Sequence, residues 1–322
     1  MYASFNVLLT SISAKVPWIQ AVRQALEQLR LPGLLIGADC STPCIGSYFV
    51  DQFWQMPRLD GLTAQELLVY CKEKEVRALI PSRDGELSFF AENQDFFRRH
   101  GISVMVSPPQ AVATCLDKEL FWKFCVDHGL PCIPTSKALE QIDAASYVVK
   151  EQFGAGSKQI GLQLNRAEAQ AWAAQLMHPV FQPYVEGREY SVDLYRNKQG
   201  AVQGTLARSR DYVVRGESQI TSSVKDPDME RLCEELADKL GLYGHAVVQL
   251  FKEEGGTYTL IECNPRFGGA SSLSLAMGLN SFYWFFQECL DHPLPPFERS
   301  FLEKQQVRYA TDLLFNLAPA TS

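Results

Sequence analysis

The chain has 322 residues, 46% of them hydrophobic and 21% charged, a balance that suits a globular protein with two or three packed lobes. A formal net charge of −7 excludes nucleic-acid binding by bulk electrostatics, though it leaves room for a local basic pocket around one phosphorylated ligand. No basic segment precedes the first apolar stretch and no apolar run is long enough to span a bilayer, so a cytoplasmic protein with no membrane partner is expected.

"FNVLLTS" reads as a buried strand, "VPWIQAVRQALEQLR" as a helix and "GLLIGAD" as the next strand. "AQELLVYCKEKEV" is helical, "ALIPSRD" runs from strand into loop, "GELSFFAENQDFFRRHG" is one helix, and "ISVMVS" closes the series. Strands alternating with helices imply a parallel sheet covered on both faces, so residues 1–110 form a doubly wound α/β lobe. The position after the first strand reads "TSISAK", not G-x-G-x-x-G, which excludes a nicotinamide enzyme.

From residue 115 the texture changes. A helix with Asp117 near its start ends at Gly129. "SYVVK", the glycine loop "EQFGAGSKQ" and "IGLQL" read as strand, loop and strand, and "RAEAQAWAAQLM" as a helix. "VFQPYV", "EYSVDLYR", "AVQGTLARS" and "SQITSSV" are strands, followed by the helix "DPDMERLCEELADKLGL" and two more strands, 243–251 and 257–264. That pattern is α+β with antiparallel pairing. "SFYWFFQECL" (281–290) is a short core helix, and the segment after 295 returns as a strand over the site. Nine cysteines without a C-x-x-C pair read as mostly buried free thiols. Cys40 and Cys44 lack the second ligand pair a zinc site needs.

The chemistry concentrates in "IECNPRFGG" (261–269). A two-residue turn at Gly255-Gly256 sets Glu254 opposite Thr257 and Gln249 opposite Glu262. Side chains alternate along a strand, so Gln249, Glu262 and Asn264 share one face. One carboxylate and two amide oxygens make a partial shell for magnesium, completed by water and phosphate. Pro265 ends the ladder, and the fork of Arg266 suits phosphate oxygens. The alternative is a polar sheet face with an arginine at its end. The glycine loop fails G-x-x-x-x-G-K-[ST] and fits better as a hairpin flap over phosphates, with Lys150 and Lys118 as cations beneath it. The alternative there is a mobile hairpin with solvated lysines.

"LDK…FWKFCVDHGLPCIPT", "YVVKEQFGAGSKQI", "FQPYVEGREYSVD" and "VVQLF…LIECNPRFGG" occur in that order, and the set resembles the ATP-grasp superfamily, in particular the ligases similar to the carbamoyl phosphate synthase large subunit. The resemblance spans about residues 1–290. It implies an α/β N-terminal lobe (1–110), an α+β ATP-grasp domain of two subdomains (111–300, flap about 135–185) and a C-terminal extension (301–322). It further implies that ATP lies between the subdomains, with Lys118 and Lys150 on its phosphates and Gly154, Gly156 and Ser157 in the covering loop, which runs to Lys158. Gln182, Tyr184 and Val185 would hold the adenine edge, partly through backbone groups. Glu189 would accept the ribose hydroxyls, unless it is a strand-edge charge. Gln249, Glu262 and Asn264 match the metal-ligand positions for Mg2+ (or Mn2+), although many relatives carry a carboxylate where Gln249 stands. Arg266 matches the arginine on the transferred phosphoryl group. Arg208 and Arg210 either add contacts near the γ-phosphate or belong to a solvated strand.

The implied reaction activates a carboxylate as an acyl phosphate and joins it to an amine, often that of an amino acid. The alternatives are a carboxylate- or carbamate-phosphorylating enzyme and a non-catalytic ATP-binding regulatory module. The partners are small-molecule carboxylate and amine substrates, with a homodimer as a further expectation. His245 reads as core packing. "TSISAK" (Thr10–Lys15) and "PSRDGE" (Pro81–Glu86) are the loops expected to touch the acceptor. Arg83, Asp84 and Glu86 could read charged groups there or cap a helix. Arg308 is a further candidate. The residues from Gly268 to Ser271 precede a helix whose N–H groups would favour an anion.

Overall fold

The computed structural model describes residues 4–154 and 159–314. The first lobe contains β1 (Asn6–Thr10), α1 (Val16–Leu29), β2 (Leu35–Asp39), β3 (Gln52–Gln55), α2 (Ala64–Glu73), β4 (Val76–Ile80), α3 (Asp84–Glu92), α4 (Gln94–Arg99) and β5 (Ser103–Val104). Its strands are parallel, in the order β3-β2-β1-β4-β5. Every residue of β1 is buried. Val7 and Leu9 pack with Trp18, Ile19 and Val22 of α1, while Leu8 packs with Leu67, Leu68 and Phe90 on the other side. Two covered faces explain why the strand reads as an unbroken apolar run.

Three details differ from the expectation. β3 is a short edge strand, half-buried and flanked by glutamines, so it shows neither alternation nor an apolar run. The helix expected over 85–101 starts at Asp84 and divides at Asn93 into α3 and α4, where the Asn93 side chain donates to the Phe89 carbonyl at 2.8 Å. A further helix, α5 (Pro109–Leu116), precedes α6 (Lys118–Asp127). The proline at its start was the available signal. Asp117 separates the two and caps α6, accepting from the N–H groups of Glu119 at 2.9 Å and Leu120 at 3.1 Å.

β6 (Tyr147–Glu151), β7 (Gly161–Leu164) and β8 (Pro179–Pro183) form a small antiparallel sheet in the order β7-β6-β8. It packs on α7 (Arg166–Ala173) through Tyr147, Val149, Ala169 and Phe181. The large sheet comprises β9 (Arg188–Arg196), β10 (Val202–Val214), β11 (Glu217–Val224), β12 (Gly244–Lys252), β13 (Tyr258–Asn264) and β14 (Gln305–Val307). α8 (Pro227–Leu240) precedes β12, and α9 (Ser272–Ala276) and α10 (Ser281–Cys289) precede β14. Its order is β13-β12-β9-β10-β11-β14, so the returning C-terminal strand is an edge of this sheet.

Alternation sorts this sheet into two faces. Val192, Leu194, Ala207, Ala246, Val248, Leu250 and Cys263 pack against Met229, Cys233 and Leu236 of α8, each buried Val, Leu or Met side chain contributing about 1.5–3 kcal/mol. The pairing register puts Glu189, Ser191, Asp193, Arg208, Arg210, Gln249, Glu262 and Asn264 on the opposite face. α10 buries Phe282, Trp284, Phe285 and Phe286 in the core of the first lobe, with Phe286 edge-on to Phe5 at 5.4 Å. That shared core fixes the two lobes to each other. All nine cysteines are free and only Cys40 is exposed. Among the described residues no helix is long and apolar enough to cross a membrane.

Candidate active site

The β12–β13 hairpin pairs Gln249 with Glu262, as expected, but by a different route. Glu253, not Glu254, meets Thr257 across the turn at 3.0 Å. Lys252 pairs with Tyr258, and the register shifts by one residue between Gln249 and Leu250. This bulge restores the pairing at the site. Asn264 lies two residues on, on the same face. Its Nδ2 donates to Glu262 Oε1 at 3.0 Å. With its amide oriented to satisfy both neighbours, Gln249 also donates to Oε1 at 3.1 Å and accepts from Arg210 Nη1 at 3.2 Å. The three groups are together, but both amides turn nitrogen toward the carboxylate. Holding a cation through their oxygens requires each amide to rotate half a turn.

Cations converge on Glu262 from the flap side. Lys118, at the first position of α6, donates from Nζ to the carbonyls of Gln152 at 3.3 Å and Gly154 at 2.9 Å. Burial lowers its pKa, with Glu262 the leading opposing charge. Lys150, near the end of β6, is half-buried, and its ammonium makes no hydrogen bond or ion pair among the described residues. Burial pulls its ammonium down to about 8, again against Glu262. Gly156, Ser157 and Lys158 lie outside the described residues.

Glu189 and Arg210 form an ion pair at 3.0 Å. Burial raises the Glu189 pKa, which Arg210 opposes. Arg210 also donates from Nη2 to the Gly216 carbonyl at 2.9 Å, so it links Glu189 to Gln249 and is no freely solvated strand charge. Gln182 is 2% exposed and its side-chain amide donates to Thr135 Oγ1 at 2.7 Å, so that nitrogen is engaged inside the protein rather than offered to the adenine edge expected there. Tyr184 gives its N–H to the Ser146 carbonyl at 2.9 Å, which leaves its carbonyl and the backbone of Val185 for such a role.

Arg208 is buried against Asp193, with Nε 2.6 Å from Oδ2. The carboxylate of Asp193 also receives His245 Nε2 at 3.1 Å, Ser274 Oγ at 2.9 Å and Ser271 Oγ. Burial alone would raise the Asp193 pKa, but Arg208, His245 and Ser271 hold it well below the usual carboxylate range. Ser271 Oγ in turn accepts the Gly268 N–H at 2.9 Å. This network therefore shapes the glycine turn from beneath, and His245 is core packing, as expected. The same bond removes one N–H from the anion site expected at Gly268, and α9 is too short to supply a strong dipole there. Asp193 was missed, although Glu189, Ser191 and Asp193 alternate in "EYSVD" and that period was the signal.

Arg266 leaves β13 in a tight turn, its N–H on the Asn264 carbonyl at 2.8 Å. Its guanidinium reaches across to Asp84 of the first lobe, Nε to Oδ1 at 2.5 Å and Nη2 to Oδ2 at 2.7 Å. Burial would lower its pKa, but the Asp84 charge and bonds raise it. Glu86 is the helix cap: it is fully buried and accepts from the N–H groups of Ser82 and Arg83 at 2.5 and 3.0 Å. A pocket of about 190 Å³ opens here, lined by Lys15, Ser82, Arg83, Asp84, Glu217, Arg266 and Arg308 among others. It sits where the loops after β1 and β4 diverge, the switch point at which open α/β sheets bind ligands.

The residues present fit a nucleotide triphosphate carried with a divalent cation. Lys150 is an unneutralised cation over the polar face, and the Ser191 Oγ and Arg208 Nη1 atoms on that face are buried without partners. Among the described residues no cluster of three or more His, Cys, Asp or Glu side chains could hold a metal alone. One carboxylate with two amides suits a cation that brings phosphate oxygens with it.

Two family models match the chain: a PylC-like N-terminal domain over residues 7–105 and an ATP-grasp of a biosynthetic pathway with the Ter operon over residues 176–313. No curated protein matches it in sequence. Among solved structures, it resembles the biotin carboxylase domain of the Hydrogenobacter thermophilus 2-oxoglutarate carboxylase, determined with MgADP, ADP and bicarbonate. The TM-score is 0.76 at 16% identity, over 95% of this chain and 75% of that one. It also resembles the Staphylococcus aureus N5-carboxyaminoimidazole synthetase complexed with ADP (TM-score 0.71, 14% identity, 91% and 80% coverage) and the Bacillus licheniformis L-amino acid ligase (0.69, 16%, 90% and 75%). With a parallel α/β lobe, a small antiparallel sheet and a large antiparallel sheet arranged as in these proteins, the chain has their fold, and its residues 176–313 match an ATP-grasp family model.

Proposed function

We propose that this protein is an ATP- and magnesium-dependent ligase that activates a small carboxylate as its acyl phosphate and joins it to an amine, such as that of an amino acid. The observation that carries the reading is the convergence of Lys118, Lys150 and Arg266 on Glu262, with Arg266 also lining the pocket between the lobes.

Lys118 and Lys150 hold the phosphate oxygens, the carbonyl of Tyr184 and the backbone of Val185 border the base, and Glu189 faces the ribose. Glu262, with Gln249 and Asn264 after their amides rotate, would hold the cation, which would neutralise charge on the phosphate oxygens. A carboxylate oxygen of the acid attacks the γ-phosphorus and ADP leaves. The amine then attacks the acyl carbon, phosphate leaves, and the amine loses a proton. Arg266 steadies the charge that develops on the transferred group, and Asp84 fixes its plane. Little side-chain proton transfer is required, so no catalytic histidine is needed. A dimeric assembly, like that of the solved biotin carboxylase domain, belongs to the same proposal.

Incubation with ATP, magnesium and pairs of small acids and amines tests the reading. ADP release that requires one acid, with an amide as product, is the expected result. A stable acyl or carbamoyl phosphate that persists with every amine, seen by ³¹P NMR, would mean phosphorylation without ligation. Nucleotide binding with no turnover for any acid would mean a regulatory module.

A further inference from the structure

The pocket between the lobes carries four cationic side chains, Lys15, Arg83, Arg266 and Arg308, against the carboxylates of Asp84 and Glu217. Both carboxylates are already neutralised: Asp84 binds Arg266 at two points, and Glu217 Oε2 receives Arg308 at 3.0 Å. Lys15 and Arg83 remain. Lys15 gives two of its ammonium hydrogens to neutral acceptors, the Ser82 carbonyl at 2.6 Å and Ser82 Oγ at 2.8 Å. The Arg83 guanidinium has no hydrogen bond or ion pair among the described residues. Glu86 is the remaining acid in the wall, and four donors satisfy it: the hydroxyls of Thr10 and Ser11 and the N–H groups of Ser82 and Arg83. Even with Glu86 counted, cations outnumber carboxylates four to three, in a protein whose net charge is −7.

Resting on the ligase reading above, we infer that the acid taken by this pocket carries a second anionic group, as in a small dicarboxylate, which lies on Lys15 and Arg83 while the reacting carboxylate lies toward Arg266. A monoacid would leave the Lys15 ammonium partly desolvated without a counter-ion and the exposed Arg83 without a partner, whereas a second carboxylate meets both, and Arg83 can grip it at two points. Lys15 Nζ sits 4.9 Å from the Trp18 ring centroid, so its position is fixed beside an apolar wall suited to a short methylene spacer. Burial pulls Lys15 down to about 8, opposed by Glu86, and a bound anion would reverse that. The volume of about 190 Å³ limits the acid to a small one.

Thermal shift of the full chain with a non-hydrolysable ATP analogue and magnesium, titrated with succinate and glutarate against butyrate and pentanoate, tests this. The dicarboxylates should bind about tenfold or more tightly than the monoacids. Arg83→Gln and Lys15→Gln should each shrink that gap to about twofold while nucleotide stabilisation persists. If the nucleotide binds but the two acid series are indistinguishable, or the gap survives both variants, the inference is wrong. If the nucleotide itself fails to stabilise the protein, the ligase reading has fallen first.

Discussion

Asp84 and Arg266 lie 182 positions apart and meet in a two-point ion pair at 2.5 and 2.7 Å. Each is only 17% exposed. The pair ties the first helical turn after β4 to the end of β13, so it holds the proposed phosphoryl-binding arginine by a group from the other lobe. Asp84→Asn keeps the shape and removes the charge. We expect kcat to fall about ten- to a hundredfold with KM for ATP changed less than about threefold, because orientation rather than nucleotide affinity is lost. Urea unfolding should show a loss of about 1–3 kcal/mol. An unchanged kcat with the same loss of stability would make the pair a structural clamp only.

Glu262 is the sole carboxylate of the proposed cation set. Glu262→Gln should lower activity about a hundredfold or more and make stabilisation by ATP insensitive to magnesium. Isothermal titration with and without the metal reads this directly. Retained magnesium dependence would move the cation elsewhere in the cleft.

Lys15 and Lys150 give the stability a pH signature. Their pKa values fall from 10.5 to about 8 on folding, mainly through burial. Between these values the unfolded chain binds more protons than the folded one, so the two lysines make stability rise as pH climbs from 8 to 10.5. Below 8 they impose a constant penalty. Lys150→Met should therefore raise the melting temperature of the nucleotide-free protein by about 2–4 °C at pH 7 and by less at pH 10, while abolishing stabilisation by ATP. Melting curves across pH for both proteins check the sign.

A Cβ at Gly269 would collide with the Glu217 carboxylate, which rests over its backbone. The carboxylate is the end of a flexible side chain, so Gly269→Ala should fold with less than about 1 kcal/mol lost. It should also displace the Glu217–Arg308 pair and raise the acceptor KM several-fold without changing the ATP KM. Steady-state kinetics with each substrate varied separately distinguishes these effects.

The fold was legible where periodicity is strong. "FNVLLTS" announced a strand buried on both faces, and the alternation around Glu262 and Asn264 placed them beside Gln249. Short elements were not legible: β3 is four residues long and has too few positions to show a period. The partners of Arg266 and Arg208 were hidden for another reason. Asp84 and Asp193 reach them through tertiary contacts, and each carboxylate read locally as a cap or a strand residue. Gln182 shows the converse limit. A strand position can be assigned from sequence, but which neighbour takes the side chain depends on Thr135, 47 residues away.

The bulge in the β12–β13 hairpin separates the tip from the chemistry. An extra residue on one strand absorbs the mismatch between the Glu253–Thr257 turn and the Gln249–Glu262 pair, and the tip glycines are open, with nothing near enough to obstruct them. Peptide tags or fluorescent labels grafted between Glu254 and Gly256 should leave the ligand-bearing end of the strands undisturbed, which makes this tip the natural handle for immobilising or reporting on the protein.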